Sequence, residues 1–174
     1  MVDNWLTQAP ELSPAAWRGL PSPPHKSTLS PEVEGMMRAR AILETVLYAS
    51  DLAAAEAFYA RIFGLEVAQR LEGKFVFFRM AEQMLLIFDP QASATPGAQN
   101  PIPRHGAAGA GHLCFRAESH VAVEAWHRHL VAHGIEIEAD HRWPNGARSI
   151  YLRDPAGNSI EIGEARMWGL ERTS

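Results

Sequence analysis

The segment AEAFYARIFGLEV (residues 55–67) returns in altered form as VEAWHRHLVAHGIEI (residues 123–137). Glu56-Ala57-Phe58 corresponds to Glu124-Ala125-Trp126, and Gly64-Leu65-Glu66-Val67 to Gly134-Ile135-Glu136-Ile137. In each copy an apolar stripe at helical spacing stops at a glycine and gives way to strand-like alternation. Outward from the first copy, ILETVLYAS (42–50) alternates as a strand and Asp51 stands where a helix N-cap belongs. Leu52, Ala55, Phe58, Tyr59 and Ile62 share one helical stripe. Three further strand-like runs follow: LEVAQRL (65–71), KFVFFRM (74–80) and QMLLIFD (83–89). The second copy repeats this order with GHLCFRA (111–117), a helix over 119–134, then IEIEADHRW (135–143), RSIYLRD (148–154) and NSIEIGE (158–164).

The unit is therefore β-α-β-β-β, used twice, and the fold class is α+β. Two copies are too few for a solenoid, so a paired module is expected. The implied layout is an arm over 1–40, a first module over 41–90, a linker over 91–110, a second module over 111–165 and a tail over 166–174. The arm is rich in Pro and Ser, with isolated Trp5, Trp17 and Leu20, and reads as a flexible extension. Met36 and Met37 stand just before the domain as alternative starts. The linker PQASATPGAQNPIPRHGAAGAG (90–111) is long for a compact domain, and such loops are usually functional or disordered.

The 174 residues are 47% hydrophobic and 21% charged with a net charge of −4, which describes a globular chain. No Lys/Arg run or basic stripe exists, which argues against nucleic acid as a partner. No apolar run is long enough to span a membrane, and the first residues lack the pattern of a secretory signal. The single cysteine, Cys114, permits no intrachain disulfide, so a reducing, cytoplasmic setting is expected. Its apolar surroundings predict a small buried hydrophobe rather than a nucleophile.

Strand parity singles out one face of the sheet. In the first strand Leu43, Thr45 and Leu47 share a side, leaving Glu44, Val46 and Tyr48 on the other. In HLCFRA, Leu113, Phe115 and Ala117 oppose His112, Cys114 and Arg116. In the last hairpin Ile150, Leu152, Ile160 and Ile162 oppose Ser149, Tyr151, Arg153 and Glu161. Glu44, His112 and Glu161 therefore fall on one polar-bearing face. Val76, Phe78, Met84, Leu86 and Phe88 are expected to line the first module's half of it. Taken singly, a strand glutamate is most often a solvated residue and a lone histidine a hydrogen-bonded core residue.

YASDLAAAEAFYARIFGLEV (48–67) and YLRDPAGNSIEI (151–162) resemble the vicinal oxygen chelate superfamily, which includes glyoxalase I, bleomycin-resistance proteins, fosfomycin-resistance enzymes and extradiol dioxygenases. The resemblance covers roughly residues 42–165. It implies two βαβββ modules curled into an open, barrel-like mixed-sheet cleft with helices outside, and metal ligands on the first and last strands. Carried over by position, Glu44, His112 and Glu161 would be the ligands, with Glu44 where a histidine is common. Leu86 holds the remaining ligand position and cannot serve, so the set resembles three-ligand members rather than four-ligand glyoxalase I. Two carboxylates and one imidazole suit a divalent Mn, Fe, Zn, Ni or Mg ion.

The implied function is metal-dependent, glyoxalase-like lyase, isomerase or group-transfer chemistry on a small oxygen-chelating substrate. The alternatives are an iron-dependent extradiol dioxygenase and a non-catalytic drug-binding protein. His105 and Tyr151 are the acid/base candidates, and Arg153, Arg148 and Tyr48 the substrate contacts. His129 and His133, at i and i+4 on the second helix, are expected to be solvated. The expected assembly is a homodimer.

Overall fold

A computed structural model describes residues 39, 41–95 and 103–171. The expected arm, with Trp5, Trp17, Leu20, Met36 and Met37, lies outside the described residues except for residue 39. The first module runs β1 (Glu44–Tyr48), α1 (Leu52–Phe63), β2 (Glu66–Leu71), β3 (Phe75–Arg79) and β4 (Met84–Phe88). A short helix α2 (Pro90–Ala94) opens the linker. The second module runs β5 (His112–Ala117), α3 (His120–Ala132), β6 (Ala139–Arg142), β7 (Arg148–Arg153) and β8 (Ser159–Glu164), and a 3-10 turn (Ala165–Trp168) follows.

The two four-stranded sheets have identical topology, β1-β4-β3-β2 and β5-β8-β7-β6. In each, the first strand pairs parallel to the last and the other pairs are antiparallel. The helix ends follow local chemistry. The Asp51 carboxylate accepts from Ala54 N at 2.9 Å and Ser119 Oγ from Ala122 N at 3.2 Å. Gly64 ends α1 in the left-handed region at φ 64°, where a side chain would be strained. One segment departs from expectation. Residues 135–138 are not strand, and β6 is confined to Ala139–Arg142.

Both modules bury their helix-facing sides in one core. Ala55, Phe58, Tyr59 and Ile62 of α1 and Val123 and Leu130 of α3 are buried there with Leu47, Val76, Phe78, Leu85, Ile87, Ile150, Leu152, Ile160 and Ile162. Phe63 stacks on Phe115 at 4.4 Å and lies 5.5 Å from the Trp126 ring, joining the first helix to the second module. His129 is not solvated as expected: its Nε2 lies 2.9 Å from Ile62 O, a carbonyl in the last turn of α1. Only a protonated Nε2 can make that contact, so His129 satisfies a helix end.

The DPAGN turn before β8 is a clamp between modules. Asp154 is buried and accepts from Ala156 N, Asn158 N, Asn158 Nδ2 and, at 2.9 Å, the Tyr59 hydroxyl of α1. Asn158 Nδ2 also donates to Tyr48 O at 3.1 Å, while its Oδ1 accepts from Gly111 N at 2.7 Å. The C-terminal end of β1 is thereby held beside the N-terminal end of β5.

Candidate metal centre

The sheet registers make the internal duplication exact enough to compare positions. Leu86 pairs with Val46, two residues beyond Glu44; Glu161 pairs with Cys114, two residues beyond His112. Phe77 pairs with Leu86 as Tyr151 pairs with Glu161, and Phe75 pairs with Phe88 as Ser149 pairs with Gly163. Equivalent positions on the face away from the helices thus carry Phe75, Phe77, Leu86 and Phe88 in the first module and Ser149, Tyr151, Glu161 and Gly163 in the second. One half is aromatic and the other is polar.

The aromatic half corrects one expectation. Val76 and Phe78 are buried at 1% and 0% exposure against α1, and Phe75 and Phe77 take the open face. Phe75 and Phe77 stack at 4.2 Å, and Phe88 meets them edge-on at 5.9 and 5.1 Å. The linker lays His105 against Phe88 at 4.6 Å, with its Nδ1 2.8 Å from the Tyr48 hydroxyl. Beside this pair, Pro90, Ala94, Pro103 and Arg104 border an open cavity of about 850 Å³.

In the polar half, Glu161 is 5% exposed and its Oε2 lies 3.4 Å from His112 Nε2. Its Oε1 is buried with no hydrogen-bond partner among the described residues. A carboxylate withdrawn from water without a full set of donors is costly unless a cation or proton compensates it. The open side of that compensation is the His112 side. Gly163 explains how the carboxylate fits. A Cβ there would lie 3.0 Å from Glu161 Oε1, 3.0 Å from Ser149 Oγ and 2.8 Å from Met167 Cε. Tyr151, half-buried beside Glu161, has its phenol pushed up to about 12 by burial and then by the Glu161 charge. Cys114 is exposed on this face, not buried as expected; partial burial and then the Glu161 charge push its thiol up to about 12.

The remaining candidates fall elsewhere. Glu44 is exposed at the start of β1, whereas the end of β1, at Tyr48, is the part that adjoins Gly111 and His112. Four residue steps at about 3.3 Å each separate those ends. Accordingly, no group of three metal-ligating side chains forms among the described residues of one chain. His112 and Glu161 are brought together; Glu44 is not.

Arg148 is on the helix side and is 6% exposed. Its guanidinium is held by Asp140 at 2.8 and 2.5 Å and by Glu124 of α3 at 2.6 Å, so it is a structural fork and not a substrate contact. Its hydrogen bonds hold the Asp140 and Glu124 carboxyls below their usual range. Arg153 is exposed on the open face, but Glu138 holds its guanidinium at 2.7 and 3.0 Å and Gly157 O accepts from it at 3.3 Å. Strand parity placed Ser149 on this face, but Gly163 and Met167 were not foreseen from the sequence. A glycine inside the strand SIEIGE was their one signal, because such a glycine often marks a close approach.

Residues 41–162 match the Glyoxalase/Bleomycin resistance protein/Dioxygenase superfamily. No curated protein matches the chain. Among solved structures, a lactoylglutathione lyase from Agrobacterium tumefaciens is 55% identical, with a TM-score of 0.76 over 76% of this chain and 99% of that one. A virulence protein from Salmonella typhimurium is 25% identical, with a TM-score of 0.55 over 74% of this chain and 98% of that one. A glyoxalase/bleomycin resistance protein/dioxygenase from Nocardioides shares the fold at 23% identity, with a TM-score of 0.61 over 82% of this chain and 94% of that one. The chain belongs to the glyoxalase/bleomycin resistance protein/dioxygenase superfamily.

Proposed function

We propose that the protein is a metal-dependent, glyoxalase-type lyase acting on the adduct of a small thiol with a 2-oxoaldehyde. His112 and Glu161 hold a divalent ion, and Glu44 of a second copy completes the set. The carrying observation is the buried Glu161 carboxylate, one oxygen unpartnered among the described residues and the other 3.4 Å from His112. The 55% identity to a lactoylglutathione lyase supports the choice of reaction. The chemistry is a proton shift between adjacent carbons that turns a hemithioacetal into a thioester without net oxidation. This needs no redox metal, and the carboxylate-rich set departs from the two-histidine triad of iron oxygenases.

A bound divalent ion would supply Lewis-acid stabilisation of the negative charge that develops on the substrate oxygens. The chain's own residues do the rest. Tyr151 stays protonated at neutral pH and donates a hydrogen bond to the developing oxyanion. His105 is the proton carrier, its ring oriented by the 2.8 Å contact between Nδ1 and the Tyr48 hydroxyl. Phe75, Phe77 and Phe88 receive the apolar substituent of the aldehyde and keep water from that side. The single cysteine fits a reducing cytoplasm as the setting.

The test is titration of chelator-treated protein with Mn²⁺ or Zn²⁺ by calorimetry, followed by an assay of thioester formation from glutathione and methylglyoxal. One ion per site, lost in His112→Ala and Glu161→Gln, is expected together with metal-dependent turnover. Equal binding by wild type and His112→Ala sinks the assignment. Mixing Glu44→Ala protein with Glu161→Gln protein tests the shared site, since hybrid dimers would regain an intact centre.

A further inference from the structure

The C-terminal 3-10 turn contributes a side chain to the wall around Glu161 that neither the duplication nor the ligand set accounts for. The turn is tied down on several sides. Glu164, buried at 2% exposure, accepts from Arg166 Nε at 2.7 Å and from Arg148 N at 3.0 Å. The Arg166 guanidinium also donates to Gly146 O. Asn145 Nδ2 donates to Arg166 O at 3.1 Å and Met167 O at 3.4 Å. Gly169, left-handed at φ 66°, closes the turn with its N–H on Arg166 O.

These ties aim the Met167 side chain back over β8. Its Cε stands 2.8 Å from the point where Gly163 would carry a Cβ, and Glu161 Oε1 stands 3.0 Å from the same point. Its sulfur lies 3.7 Å from Ser149 Oγ, whose position is set by Trp143 Nε1 donating at 2.9 Å. One carboxylate oxygen is therefore bordered by a glycine, a serine and a thioether, and accepts no hydrogen bond among the described residues. The other is left facing His112. A thioether is a weak acceptor and no hydrogen donor, so it can exclude water from Oε1 without binding it.

We propose that Met167 is a positioning residue for the metal ligand. The C-terminal turn straps it over Glu161 so that Oε1 is walled off and the carboxylate presents Oε2 alone. This rests on the proposed role of Glu161 and His112 as ligands. The strap holds the Glu161 carboxylate in one orientation and bars water and a second carboxylate oxygen from the ion. Partners that orient a ligand in this way commonly matter by about 10–100-fold in metal affinity.

The experiment compares full-length wild type, Met167→Ala, Met167→Leu and His112→Ala. Mn²⁺ affinity is measured by calorimetry and the visible spectrum of the Co²⁺-loaded protein is recorded, both well below each variant's melting temperature. Leucine keeps the bulk of methionine, so it should retain wild-type affinity and spectrum. Met167→Ala should lose about tenfold or more in affinity. Its Co²⁺ bands should weaken as water or the second carboxylate oxygen raises the coordination number. A folding defect alone would lower the melting temperature without changing the Co²⁺ bands. If Met167→Ala matches wild type in both readouts while His112→Ala loses the metal, the strap is wrong and the ligand assignment survives. If wild type binds no metal, or His112→Ala binds it equally, the ligand assignment fails and the strap fails with it.

Discussion

Leu86 occupies in β4 the ladder position that Glu161 occupies in β8, each opposite the residue two beyond the first-strand ligand candidate. Both are nearly buried, at 7% and 5% exposure. The duplicated fold thus offers two equivalent pockets, and only one carries a carboxylate. Leu86 pairs with Phe77, and Phe75 and Phe88 sit beside that pair, so the surroundings of Leu86 are largely aromatic. Leu86→Glu should lower the stability of metal-free protein by roughly 1–3 kcal/mol. Urea melts with and without saturating Mn²⁺ check it, and an unchanged midpoint without metal would contradict the apolar character of the pocket.

Arg148 binds two carboxylates on the helix side, away from the open face. Arg148→Met should cost roughly 1–2 kcal/mol of stability from the lost charge-assisted hydrogen bonds. It should leave metal affinity and KM unchanged. A large rise in KM at unaltered stability would return Arg148 to the substrate site. Asp140 and Glu124 have lowered pKa values, so their contribution is present above the usual carboxylate range and declines as pH falls through it.

Asn158 is the bracket between modules, joining Tyr48 O to Gly111 N. Asn158→Ala leaves both partners unsatisfied and should destabilise the fold by about 2–4 kcal/mol. Gly111→Ala acts on the same junction by crowding, since a Cβ would lie 2.8 Å from Leu47 Cδ2 and 3.2 Å from Asn158 Oδ1. Its expected cost is about 1–3 kcal/mol. Chemical denaturation measures both, and a neutral Asn158→Ala would show that the modules do not depend on this contact.

Tyr59 is fully buried, and burial followed by the Asp154 charge raises its phenol far above the ordinary value near 10. The unfolded chain would ionise there while the folded one stays protonated. Its contribution is therefore complete below about pH 10 and falls by about 1.4 kcal/mol per pH unit above it. Tyr151, pushed up to about 12, adds to the same slope. Tyr59→Phe should flatten the fall in stability between pH 10 and 11, measured by urea unfolding, at the cost of one hydrogen bond at neutral pH.

Tyr151→Phe removes the proposed donor beside Glu161 and keeps the ring. A fall of about 10²–10³ in kcat is expected with little change in metal affinity. An unaltered kcat would remove Tyr151 from the catalytic set.

The pairing of modules was legible because helix stripes and strand alternation are local properties, and the same order of periods occurs twice. Parity likewise put His112 and Glu161 on one face, since side chains alternate along any strand. Their convergence required the register, which aligns Cys114 with Glu161 and carries His112 to the same edge. Parity could not assign Phe75 and Phe77 rather than Val76 and Phe78 to the open face, because KFVFFRM is apolar on both sides. Parity puts Arg148 and Arg153 on opposite faces of β7, but it could not name their partners, since Glu124 and Asp140 reach one and Glu138 the other only in the folded chain.

What the chain's order of residues determined alone was the repeated unit, its helix stops and the face that bears polar groups. Only tertiary structure decided which of those groups meet. Glu44 and His112 occupy equivalent positions in the repeat, yet the modules join at Tyr48 and Gly111, the far end of β1 from Glu44. Equivalence in a duplicated unit is a matter of pattern, whereas contact depends on which strand ends the packing brings together.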